Sequence, residues 1–298
     1  MEKIMKKLFF IQFFLLLIII SGFTQSDSIK LAKINKSISD TNIEIPYIAW
    51  LIQDNSIFLL STYNKVIMVF DEKGKTTRHI KIKSKEKLEF QDFVLLGKDF
   101  YLLEKQTNSI IKIDGSGNLL SRENLYNLNT LSLHCNSKNI LLKCSSGTVI
   151  FDKNLHFKYF IPFKTACPFI SDNRIPLINY IGEGSHKLDL FMIDIKRNDI
   201  VKTDLYNAPE KMLIYNATTF SSSNAYFYLH LDMGHDGKLL KTAFLKINKS
   251  GKIISNVIRK PIFSFIMDLP RKYAVSDMDK IYSFSSDSNF FMLKKLEH

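Results

Sequence analysis

The stretch Asn108-Ser109-Ile110-Ile111-Lys112-Ile113-Asp114-Gly115-Ser116-Gly117-Asn118 sets the pattern for the chain. It is an apolar alternating run, an Asp, a short polar turn with Gly, and then a second run from Leu119. The pattern recurs at Phe70-Asp71-Glu72-Lys73-Gly74-Lys75, Phe151-Asp152-Lys153-Asn154, Ile193-Asp194-Ile195-Lys196-Arg197-Asn198 and Ile247-Asn248-Lys249-Ser250-Gly251-Lys252. The turn Asp or Asn accepts backbone hydrogen bonds just after the strand, and the later Gly or Asn takes the left-handed conformation of a tight hairpin. Positions 71, 114, 152, 194 and 248 are spaced by 43, 38, 42 and 54 residues. Such periods fit four-stranded propeller blades.

Strand signals dominate and helix signals are nearly absent. The first unit divides into Tyr47–Gln53, Ser56–Ser61, Lys65–Phe70 and Thr76–Ile82. The second divides into Phe90–Leu96, Phe100–Glu104, Ser109–Ile113 and Asn118–Asn124. The third runs from Thr130 to Phe160, the fourth from Ala166 to Leu205 and the fifth from Lys211 to Arg259. The loop Asp232–Gly237 absorbs the fifth unit's extra length. The sixth has only three strands, Ile262–Asp268, Lys280–Phe284 and Phe290–Lys294. Its missing outer strand is expected from the N-terminal side, where Ile29, Leu31 and Ile34 are apolar among lysines. The expectation is an all-β, six-bladed β-propeller of four-stranded antiparallel blades, closed by the N-terminal strand.

Residues 89–118 resemble a blade of the NHL-like six-bladed propellers, through Glu89-Phe90, Phe93-Val94-Leu95, Asp99-Phe100-Tyr101-Leu102-Leu103-Glu104 and the run from Asn108 to Asn118. They are also similar to the exported six-bladed propeller proteins of envelope-bearing bacteria. Lys87-Leu88-Glu89 stands where the exported group often has Gly-Pro-Gly-Glu. The resemblance implies the fold and a binding habit, and it carries over no catalytic residue.

Lys3, Lys6 and Lys7 precede an apolar run from Leu8 to Ile20, broken only by Gln12, and small and polar residues follow. This is the layout of a secretory signal peptide, and the run is shorter than the roughly 20 residues of a membrane span. Residues 1–25 are therefore expected to be a signal peptide and 26–298 a single propeller domain. The protein is expected to be exported, periplasmic or at the cell surface, with no membrane span in the mature chain. The formal net charge is +12. The lysines are spread over turns and solvent faces without a block of like charge, so a basic solvated surface is expected rather than a nucleic-acid site. Of Cys135, Cys144 and Cys167, the first two lie on one hairpin. Pairing of Cys135 near Ile140 and Cys144 near Leu131 puts them too far apart along the strands for a bridge.

No G-x-S-x-G, H-E-x-x-H or carboxylate dyad is present. Loops between the second and third strands share one face with the connections between blades, around the mouth of the central channel. This arrangement nominates Asn64, Lys65, Gln106, Asn108, Glu183, His186, His235 and Asp236 as ligand-binding residues, beside Ser145 and Ser146. His230, Asp232, His235 and Asp236 group His with Asp as a divalent metal site does, but without the spacing of a calcium loop. His230 is read as ending a strand. Ile181-Gly182-Glu183-Gly184-Ser185-His186 lacks the Lys and helix of a phosphate cradle and reads as a hairpin loop. Trp50, Tyr47 and Tyr63 read as core between blades. The expected function is a monomeric binding or scaffold protein, without cofactor, metal or nucleic acid, engaging a cell-envelope protein, peptide or glycan. The alternative is a hydrolase or lyase acting on a sugar, lactone or peptide at the channel mouth, with or without a metal.

Overall fold

A computed structural model describes residues 28–33, 48–61, 65–126, 128–162, 174–180, 185–197, 199–209, 211–222, 226–261, 272–276, 280–286 and 290–296. The strand β1 (Ser28–Lys33) finds its partner only at the far end of the chain. The first blade is β2 (Ile48–Gln53), β3 (Ser56–Ser61), β4 (Val66–Phe70) and β5 (Thr76–Lys81). The second is β6 (Phe90–Leu96), β7 (Asp99–Glu104), β8 (Ser109–Ile113) and β9 (Leu119–Asn124). The third is β10 (Thr130–Cys135), β11 (Asn139–Cys144), β12 (Gly147–Asp152) and β13 (Phe157–Ile161). The fourth shows β14 (Arg174–Tyr180), β15 (Lys187–Asp194) and β16 (Asp199–Asn207). The fifth is β17 (Leu213–Ser222), β18 (Tyr226–His235), β19 (Lys238–Asn248) and β20 (Ile253–Arg259). The sixth is β21 (Tyr273–Val275), β22 (Ile281–Ser286), β23 (Phe290–Leu296) and β1, which pairs antiparallel with β23 from Ser28 opposite Lys294 to Lys33 opposite Phe290.

The fold is thus an all-β, six-bladed propeller, and no helix occurs among the described residues. Five sheets show four strands and the fourth blade shows three. Its Asp194 turn follows β15, so β14, β15 and β16 occupy the second, third and outer positions. The start of this unit near Ala166 lies outside the described residues. So does the sixth unit's Ile262–Asp268, and the strand that pairs with β22 is instead Tyr273–Val275. Inner strands of neighbouring blades touch, β2 with β6, β6 with β10, β17 with β21, and β21 with β2.

The turn motif builds the blades. The Oδ1 of Asp71 accepts the N–H of Lys73 and Lys75 at 2.9 and 2.8 Å, and that of Asp114 accepts Ser116 and Asn118 at 2.8 and 2.9 Å. Asp152 binds Asn154 and His156 in the same way, and Asn248 binds Ser250 and Lys252. The fourth turn residue is left-handed: Gly74, Gly117 and Gly251 have φ of 81°, 82° and 83°. In the third blade Leu155 takes this position at φ 66°, and its side chain is buried between the second and third blades. Burial of a leucine offsets the backbone strain of roughly 1–2 kcal/mol that a non-glycine residue meets there.

Each seam between blades holds one apolar cluster, because both faces of every blade meet a neighbour. Leu60 and Phe58 meet Phe100 and Leu102, Leu103 meets Ile140 and Leu142, and Ile150 meets Ile175. Leu190 meets Leu229, Phe244 meets Ile281, and Trp50 meets Phe284 with ring centroids 5.6 Å apart. Trp50 is fully buried, as expected of a core residue, while Tyr47 and Tyr63 lie outside the described residues. Cys135 stands opposite Ile140 and Cys144 opposite Thr130, and the two sulfurs are not joined.

Candidate binding face

Loops between the second and third strands gather at one end of the ring, where the connections between blades also run. Lys65, Asn108 and His186 each sit immediately before the third strand of their blade. The carbonyl of each accepts an N–H from the residue after the outer strand: Ile82 to Lys65 at 2.8 Å, Leu125 to Asn108 at 2.9 Å, and Ala208 to His186 at 2.8 Å. Their side chains reinforce the same junction. Lys65 Nζ donates to the Glu86 carbonyl. Asn108 Nδ2 donates to the Leu128 carbonyl at 2.8 Å, while its Oδ1 accepts from Thr130 Oγ1 at 3.2 Å. His186 Nδ1 donates to the Met212 carbonyl at 2.6 Å. These three residues therefore latch loops to connections and shape the rim from beneath. Gln106, Ser145, Ser146, His235 and Asp236 are exposed on it. Asn64 and Glu183 lie outside the described residues.

A buried carboxylate organises the second-blade loop, and sequence reasoning did not single it out. Glu104 has no exposed surface. Its Oε1 accepts the N–H of Glu89 and Gln106 at 3.1 and 3.0 Å, and its Oε2 accepts the N–H and hydroxyl of Thr107. Burial acts to raise its pKa, but these donors outweigh it and hold the carboxyl below the usual glutamate range. Asp92 and Asp204 work similarly between blades. Asp92 Oδ2 accepts Leu133 N–H at 2.7 Å from the third blade, and Asp204 Oδ2 accepts Ile253 N–H at 2.8 Å from the fifth. Both stand beside irregularities in strand register, where a ladder N–H loses its backbone partner. For Glu104 and Asp92, an acid inside a mainly apolar strand was the available signal.

The fifth blade departs from expectation. His230 lies within β18 rather than at its end, and Asp232–His235 continue that strand rather than forming a loop. The extra length of this unit goes into the long strands β18 and β19. Their hairpin turns at Asp236 and Gly237, both left-handed with φ of 50° and 72°, as a two-residue Asp-Gly turn requires. Gly234 permits the strand to continue because Lys238 O and Tyr215 crowd the space where a Cβ would stand. Tyr215 also accepts the Gly237 N–H on its hydroxyl at 2.9 Å. Counted from equivalent positions, Phe227 here and Phe100 in the second blade, β18 runs four residues past β7. At about 3.4 Å per residue the hairpin reaches roughly 13 Å further than that of the second blade. Its tip carries His235 and Asp236, paired at 2.7 Å.

Beneath that hairpin, a polar cluster lies in the seam with the sixth blade. The same count places His230 where the first and second blades have Leu60 and Leu103. His230 is 4 % exposed, its Nε2 is 3.1 Å from Asp232 Oδ1, and its ring centroid is 4.7 Å from that of Tyr273. Asn216 Nδ2 donates to Asp232 Oδ2 at 3.4 Å. Burial acts to raise the Asp232 pKa; His230, Asn216 and Lys272 outweigh it and hold the carboxyl low. Burial and the Asp232 charge push Tyr273 up to about 12. Among the described residues no three His, Cys, Asp or Glu side chains gather as a metal site would need. A recess lined by Ile29, Ile52, Asn55, Ile57, Glu72, Ser276 and Tyr282 lies on the opposite face, beside β1.

No family model matches the chain, and no curated protein does. Solved structures are similar in fold. A member of the DUF4221 family from Bacteroides vulgatus has TM-score 0.55 at 9% identity, covering 90% of this chain and 96% of its own. A protein of Desulfotomaculum acetoxidans, described as functionally unknown, has TM-score 0.52 at 11% identity and 84% coverage of each chain. A Bacteroides fragilis protein described as exported has TM-score 0.50 at 10% identity, covering 92% of this chain and 96% of its own. At these identities the likeness establishes the propeller fold. No helix among the described residues is long and apolar enough to cross a membrane.

Proposed function

We propose that this chain is an exported, NHL-like binding or scaffold protein that engages a cell-envelope protein, peptide or glycan through the rim. The observation that carries this reading is the fifth-blade hairpin, which carries exposed His235 and Asp236 four residues beyond the reach of the second-blade loop, whose backbone is already bonded internally. Where the loop backbone is already hydrogen-bonded, as in the second and third blades, outward polar side chains bind with little further loss of conformational freedom. Export is supported by the leader-like residues 1–25. The test is capture from envelope extract followed by titration of the captured component. Wild-type protein is compared with a variant carrying Gln106, Glu183, His235 and Asp236 changed to Ala. Binding lost in a variant with unchanged melting temperature supports the rim; equal binding by both refutes it.

A second reading, a hydrolase or lyase, draws on the His230–Asp232 pair with Tyr273 beside it. Turnover of a sugar, lactone or peptide substrate that disappears in Asp232→Asn would favour it.

A further inference from the structure

Blades repeat, so the filling of one seam can be compared with the next. Strand register places Tyr282, Ile57, Ile52 and Ile29 in the sixth–first seam where the first–second seam has Phe58, Phe100, Leu95 and Ile80. In the first–second seam those four are 6, 1, 9 and 2 % exposed, and Phe58 meets Phe100 edge-on with ring centroids 5.9 Å apart. In the second–third seam the corresponding pair is Tyr101 and Ile140. Leu155 packs with them there, and the Tyr101 hydroxyl donates to the Lys153 carbonyl at 2.6 Å. The sixth–first seam has neither filler. Isoleucine 57 stands in the place of Phe100, Gly74 stands in the place of Leu155, and Ile29, Ile52 and Tyr282 stay half-buried around the recess beside β1.

We propose that this recess binds a small neutral phenol, with its ring edge-on to Tyr282 and its hydroxyl donating to Glu72. The neighbouring seam supplies the template for the ring, since Phe100 fills the corresponding space against Phe58. Glu72 at the edge of the recess supplies the acceptor: among the described residues its carboxylate has neither a hydrogen bond nor an ion pair. The same carboxylate disfavours an aromatic acid. Walls from three segments, β1, the first blade and the sixth, suit one ring better than an extended chain, which favours a small molecule over a partner's backbone. Ile29 belongs to the strand that closes the ring, so occupancy stabilises closure by mass action. The site lies on the face opposite the rim and does not depend on the reading of the rim.

The probe is p-cresol, titrated into the protein while the methyl resonances of Ile29, Ile52 and Ile57 are followed by NMR. Saturable shifts at these three are expected. Toluene, which lacks the donor, and p-toluate, which carries a charge, should each bind about tenfold more weakly or worse, as loss of one hydrogen bond to a charged group implies. Ile57→Phe rebuilds the Phe58–Phe100 arrangement, and it should raise the melting temperature while weakening p-cresol about tenfold or more. Glu72→Ala should weaken p-cresol by a similar factor and leave toluene unchanged. Hydrogen exchange at residues 28–33 should slow when wild-type protein is saturated with p-cresol, a readout that needs no variant. Absent shifts at the isoleucines, equal binding of p-toluate, undiminished binding by Ile57→Phe, or unchanged exchange at 28–33 would overturn the proposal. So would tighter binding of a capped Gly-Tyr-Gly peptide than of p-cresol, since that assigns the recess to a partner's tyrosine.

Discussion

Gly74 is packed so closely on the carbonyl of Lys30 that a Cβ at this position has no room. The first blade's turn is therefore seated on the strand that completes the sixth. Gly117 sits on Lys81 and Gly251 on Thr203 in the same manner. Each of these turn glycines meets the outer strand of the preceding blade.

Gly74→Ala combines a steric clash with a left-handed backbone, and it is expected to lower stability by about 1–3 kcal/mol. Gly97→Ala is the control. Its φ is 65° but nothing lies within 4 Å, so only the conformational cost of about 1 kcal/mol should appear. Urea unfolding of both variants measures the difference; equal losses would mean the contact with Lys30 is unimportant.

Removal of residues 26–34 takes away the outer strand of the sixth blade and uncovers Leu293 and Phe284. A marked fall in melting temperature is expected, together with a tendency to associate through the bared edge of β23. Calorimetry and sedimentation check both effects. An unchanged melting temperature would show that the ring does not need closure.

Glu104 supplies a pH dependence whose sign follows from its lowered pKa. A carboxyl that ionises more readily when folded contributes stability above its unfolded value, near 4.3, and loses that contribution as pH falls through the lower folded value. Glu104→Gln, which puts an N–H₂ where two acceptors are required, is expected to cost about 1–3 kcal/mol at neutral pH. The deficit relative to wild type should shrink in acid. Denaturant melts between neutral pH and pH about 3 measure it; a deficit independent of pH would reject the charge as its source.

His230 and Asp232 are best tested as a pair. His230→Leu restores the residue type of Leu60 and Leu103 but leaves Asp232 poorly compensated, so a loss of about 1–3 kcal/mol is expected. The double change of His230 to Leu and Asp232 to Val should recover most of that loss. A double-mutant cycle in urea reads the coupling, and simple additivity would show that the two do not interact.

Most of the ring is visible in the sequence because the Asp or Asn turn is a local device: its bonds close within five residues, so each copy marks a strand end by itself. The outer strand from the N-terminal side was legible for a different reason, since an incomplete last unit calls for one. The fifth-blade hairpin was not, because Gly234 reads as a loop residue when the crowding by Lys238 and Tyr215 is unseen. The rim was half legible. Polar residues before a third strand locate the loops themselves, yet in Lys65, Asn108 and His186 the polarity serves the backbone of a neighbouring connection. For Glu104 and Asp92 the acid within an apolar strand was visible but its role was not, because the partners are backbone N–H groups that no side chain marks.

Because β1 pairs with β23, a chain made from its N-terminus forward cannot finish its sixth sheet until the residues through Leu296 are available. Five blades can assemble through neighbouring contacts, while Gly74 and Trp50 wait for a surface delivered last. Pairing β1 with β23 brings together residues over 250 positions apart, the most entropically demanding strand pairing among the described residues. Refolding should accordingly show a late phase in which Trp50 fluorescence changes as Phe284 arrives, after most strand signal has formed.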